Sequence, residues 1–180
     1  MAFATTMRSG LLARMDHFAR GLLPLLTALM CVVLSAVPSR LPMFALVAPA
    51  LTLIAIYYWS IYRPDLLRGF FILAIGLFQD LLIGSAPGVT SFILLLSYLV
   101  VVSQRRFFHG KSFGVVWWGF MLIAFGAALL TWISNMFVLN AWIDPKGAGI
   151  SWVLTILLYP PFAALLSQAH KLVPVRELDA

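Results

Sequence analysis

The sequence predicts an all-α polytopic membrane protein, a single domain of six transmembrane helices with both termini in the cytoplasm. Three observations carry this. Of 180 residues, 63% are hydrophobic and only 10% are charged, and mean hydropathy is +1.02. A soluble domain of this length cannot hide that much apolar surface. The apolar residues fall into six runs separated by short polar connections, which leaves no room for a globular insert. The basic residues are also sorted between alternate connections. Arg8, Arg14, Arg20, Arg63, Arg68, Arg105, Arg106, Lys111, Lys171 and Arg176 fall on one side, and only Arg40 and Lys146 on the other. The positive-inside rule assigns the richer side to the cytoplasm. The net charge of +6 therefore reports topology and not nucleic-acid binding.

Span one is expected at about 18–37. The basic residues before it resemble the start of a signal peptide, but Ser35, Ala36 and Val37 make a poor processing site, so an uncleaved helix is expected. Cys31 lies inside this run and reads as a small buried hydrophobe. A reversal through Pro38 and Pro42 leads to span two, about 42–59, where Pro49 predicts a kink. Tyr57, Tyr58, Trp59 and Tyr62 read as an interfacial aromatic belt, followed by a weak surface pair of Arg63 and Asp65.

Span three, about 66–84, is just long enough to cross, since its roughly 19 residues rise about 28 Å. It carries Asp80 about four residues before its outer end. A carboxylate in such a run is costly and turns toward a protein interior, a partner or a watery cavity. Gly76, Asp80 and Gly84 stand at i, i+4 and i+8 on one helical face, so close approach of a neighbouring backbone is expected there. Ser85 to Gly88 then form a tight turn. Pro87 opposes helix continuation and Gly88 supplies conformational freedom. Span four, about 87–103, is the antiparallel neighbour.

The cluster Arg105, Arg106 and Lys111 that follows is a cytoplasmic loop, and also a candidate contact for anionic lipid or an acidic partner. Span five, within 113–139, is long enough to require tilt. It carries small residues suited to close packing, and Asn135 in its outer half is a candidate polar partner for Asp80. Span six, about 150–168, contains Pro160 and Pro161, which predict a kink or local break.

No phosphate-binding loop, dinucleotide fingerprint, metal-ligand spacing or nucleophile elbow is present in the sequence, and no second carboxylate accompanies Asp80 within the spans. No enzyme activity, cofactor or metal is expected. Asp80 itself is open to three roles: fixing helix packing through hydrogen bonds, contacting a partner, or serving transport or ligand binding.

The stretch Gly76-Leu77-Phe78-Gln79-Asp80-Leu81-Leu82-Ile83-Gly84-Ser85-Ala86-Pro87-Gly88, followed by an apolar run and Arg105-Arg106, resembles the rod shape-determining MreD family. Gly76, Asp80, Gly84, Pro87 and Gly88 carry the match. The resemblance implies a noncatalytic, multi-pass scaffold of the bacterial inner membrane. It would belong to the cell-elongation machinery, supporting peptidoglycan synthesis and rod shape. Implied partners are MreC, the actin-like MreB, the RodA glycosyltransferase and a penicillin-binding transpeptidase. The architecture is similar to the substrate-binding subunits of energy-coupling-factor transporters, so a small-molecule-binding transporter subunit is the alternative function.

Overall fold

A computed structural model describes residues 22–36, 49–64, 66–108 and 111–171. Six helices lie among them, and no strand: α1 (Leu23–Ala36), α2 (Leu51–Tyr62), α3 (Gly69–Ile83), α4 (Val89–Phe108), α5 (Phe113–Leu139) and α6 (Lys146–Lys171). Two of these, α5 and α6, are long and apolar enough to cross a membrane, and α1 to α4 offer shorter apolar stretches. At 1.5 Å per residue, the 12 residues of α2 rise only about 18 Å. Part of expected spans one and two, and the Arg63–Asp65 pair, fall outside the described residues.

The helices touch in the sequence α1–α3–α4–α5–α6, forming a curved wall, while α2 packs against α1, α4 and α6 from within. Every residue from Leu51 to Ile61 is buried. The wall faces the other way. Phe70, Leu81, Phe92, Leu122 and Phe137 are exposed on its outer surface, and only 28% of the apolar window of α5 is buried. A core helix of a soluble protein would show the reverse, so this exposed apolar surface fits a lipid surround.

The expected aromatic belt is corrected by this arrangement. Tyr57, Tyr58 and Trp59 are buried, and only Tyr62 is exposed. Tyr57 donates to the Val116 carbonyl at 2.7 Å, and Trp59 Nε1 donates to Thr27 Oγ1 at 2.9 Å. Tyr57 also meets Phe120 and Tyr159 edge-on, with ring centroids 5.1 and 5.8 Å apart. Polar tips that suggested the water interface instead bond the central helix to α1 and α5.

Pro49 precedes α2 and does not interrupt it; its carbonyl accepts the Leu51 N–H at 2.9 Å. Pro160 and Pro161 lie inside α6, which continues through both to Lys171. The helix therefore absorbs the two missing donors without ending.

Candidate functional site: the Asp80 corner and the cavity beside it

Helix α3 ends where its sequence requires. Gly84 adopts the left-handed region, with φ 74° and ψ 26°, and its N–H and that of Ser85 both return to the Asp80 carbonyl, at 2.9 and 3.1 Å. This satisfies an orphan carbonyl at the helix C-terminus. A Cβ on Gly84 would meet open space, so this glycine serves backbone conformation and not close packing.

The Asp80 side chain closes the other half of the turn. It is 1% exposed. Oδ1 accepts the Ser85 hydroxyl at 2.8 Å and the Thr90 N–H at 3.3 Å, and Oδ2 accepts the Gly88 N–H at 2.8 Å. Gly88 stands at the N-cap of α4, its carbonyl receiving the Phe92 N–H, and has no side chain with which to cap. The carboxylate of the preceding helix does so in its place, and its charge meets the positive end of the helix dipole. One residue thus accepts five hydrogen bonds, two on its carbonyl and three on its carboxylate. Hydrogen bonds to a charged group are worth roughly 1.5–3 kcal/mol each, which offsets the cost of holding the carboxylate out of water.

Gly76 is the close approach between the two helices. A Cβ there would come within 2.8 Å of Ser91 N and Oγ and overlap the Ser91 Cα. Ser91 Oγ in turn donates to the Leu73 carbonyl at 3.2 Å, one turn earlier on α3. The α3–α4 contact is the most extensive in the bundle, and Gly76 is what allows it. Pro87 is exposed at the tip of the turn, and Gly88 has φ 100°.

Asn135 makes no hydrogen bond to Asp80, whose three carboxylate bonds all come from its own hairpin. It lines instead a cavity of about 330 Å³. Around this space the last turns of α1, α3 and α5 meet the first turns of α2, α4 and α6, which puts it at the end of the bundle assigned outward by the basic-residue pattern. Thr155 shows how the neighbouring polar groups are satisfied, donating to the Ser151 carbonyl at 2.7 Å and accepting the Ala50 N–H at 2.9 Å. Ser35 Oγ, Thr52 Oγ1 and Gln79 Oε1, which also line the cavity, are buried with no hydrogen-bond partner among the described residues. Sequence reasoning missed these three, because a lone hydroxyl or amide in an apolar run looks the same whether it faces lipid, protein or a void.

At the opposite end, Lys111 is exposed. The side chains of Arg105 and Arg106 fall outside the described residues.

The family model for rod shape-determining protein MreD matches residues 15–169. The chain belongs to the MreD family. The match covers the wall, the central helix and the Asp80 corner. Neither a curated protein nor a solved structure matches the sequence significantly. MreD membership ties the chain to rod-shape determination at the membrane.

Proposed function

We propose that this MreD-family chain is a noncatalytic membrane scaffold of the cell-elongation machinery, supporting peptidoglycan synthesis by holding other proteins in place. Family membership supplies the setting, and the Asp80 carboxylate, bonded within its own hairpin, is the observation that favours a scaffold. All of its hydrogen bonds close the α3–α4 hairpin, so the acid acts as a fixture of the fold and not as a nucleophile or a base. A rigid corner offers partners a fixed surface. Leu81, Gly84 and Pro87 are exposed on it, and MreC, RodA and the transpeptidase are the candidates to meet it. On the cytoplasmic side, Arg105, Arg106 and Lys111 are proposed to contact anionic lipid or the acidic surface of MreB.

The test is photocrosslinking in living cells from residues that the structure leaves exposed. Probes at Leu81, Pro87 and Lys111 are expected to capture elongation proteins, while a probe at Phe70, on the apolar wall, serves as control. Capture of transporter coupling proteins alone would overturn the scaffold reading.

A further inference from the structure

We propose that the cavity between the outward helix ends is a binding site for an uncharged small molecule that carries hydroxyl or amide groups beside an apolar face. Three features of the cavity point there together. Its volume of about 330 Å³ falls in the range of small-molecule pockets. Ser35 and Thr52, 3% and 1% exposed, hold hydroxyls without partners, and Gln79 holds a carbonyl oxygen without one. Protein interiors rarely leave such groups unpaired.

Local alternatives exist and are used elsewhere in the same fold. Thr27, Ser60, Thr131 and Thr155 each donate to the carbonyl four residues back, as hydroxyls in helices commonly do. Ser35 lies in the last turn of α1, four residues after Cys31, and does not make this bond. Its hydroxyl stays available to whatever fills the space.

The lining also selects the chemistry. Among the described residues, its single ionisable side chain is Asp144, which is exposed and paired with Lys146 at 3.5 Å. The Asp80 carboxylate next door is engaged by three donors of its own hairpin. A charged ligand would find no free counter-charge among the described residues, and that is costly. Gln79 Oε1 requires a donor, and the two hydroxyls can donate or accept. Leu53, Ile93 and Ala127, with Trp152 beside them, provide the apolar share of the wall. A neutral lipid headgroup and a free water-soluble compound both answer this description. The inference does not depend on which proteins the chain holds.

The experiment uses the full chain, purified in mild detergent, denatured and extracted for mass spectrometry. Wild type is expected to retain close to one molecule of this class per chain. The pair Thr52→Val with Gln79→Leu removes two of the unpartnered groups, and Ala128→Phe fills the space. Each is expected to lower retention at least tenfold at unchanged yield. A glyceride in the extract identifies the lipid source, and a water-soluble polyol or amide the other. Protein washed free of retained compounds is then heated with monoolein or with N-acetylglucosamine, one probe for each source, and one of them is expected to raise the melting temperature of wild type but not of the paired variant. Equal retention in wild type and variants would overturn the proposal. So would an empty extract together with no shift from either probe, which would leave the cavity to water alone.

Discussion

Replacing Asp80 separates the capping function of its carboxylate from every other role. Asp80→Ala deprives the Gly88 and Thr90 N–H groups and the Ser85 hydroxyl of their acceptor. The hydroxyl can turn to another acceptor, but the two backbone donors cannot. Both donors are half-buried, so at roughly 1–3 kcal/mol for a fully buried orphaned donor the loss is at most about 2–6 kcal/mol. Asp80→Asn keeps one oxygen and sets its amide against a backbone donor at the other position. Its loss is smaller, about 2–3 kcal/mol. Ser85→Ala removes one bond, worth about 1 kcal/mol, and in an Asp80→Ala background it should cost almost nothing. Unfolding free energies in mixed micelles measure all four variants, with membrane abundance and cell width read in parallel. The capping argument is refuted if Asp80→Asn unfolds like wild type, or if Ser85→Ala costs as much without Asp80 as with it. Rounded cells at normal abundance and normal stability would move Asp80 from fold support to partner contact.

The glycines should rank in an order that helix propensity does not give. Gly76→Ala collides with the Ser91 backbone, so a loss of about 1–3 kcal/mol or more is expected in the same unfolding assay. Gly84→Ala meets open space but needs a left-handed backbone, and about 1–2 kcal/mol is expected. Tyr57→Phe removes the bond to the Val116 carbonyl and should lower stability by about 1 kcal/mol, whereas truncation of the buried Trp59 to Ala should cost about 3–5 kcal/mol. Lys146→Ala breaks an exposed pair and should change stability by less than about 1 kcal/mol.

The α3–α4 hairpin was legible in the sequence because its information is local. Gly76, Asp80, Gly84 and Gly88 lie four residues apart along one short stretch, and an acid in an apolar run is conspicuous. The central place of α2 was not legible. In a soluble protein a helix that is apolar all round must be buried, but in a membrane every helix is apolar all round, whether lipid or protein surrounds it. The polar tips on Tyr57 and Trp59 were the available signal, since both bond to other helices. Aromatic-belt statistics drew Tyr57 to Trp59 to the interface instead. Asn135 was paired with Asp80 because both lie toward the same end of the bundle. The carboxylate takes its bonds instead from residues five to ten positions away.

That short reach bears on how the protein is made. The bonds that hold the α3–α4 corner link Asp80 to Ser85, Gly88 and Thr90, so closing them requires almost no search. The hairpin can form as soon as its two helices have left the ribosome, with its turn amides and its acid already hydrogen-bonded to each other. Helix α2, synthesised earlier, has no such self-sufficiency. Its bonds reach Thr27, Val116 and Thr155, and the last of these lies more than a hundred residues downstream. Biogenesis would therefore proceed outward from a prefabricated corner, with the central helix waiting for α6 before its surroundings are complete.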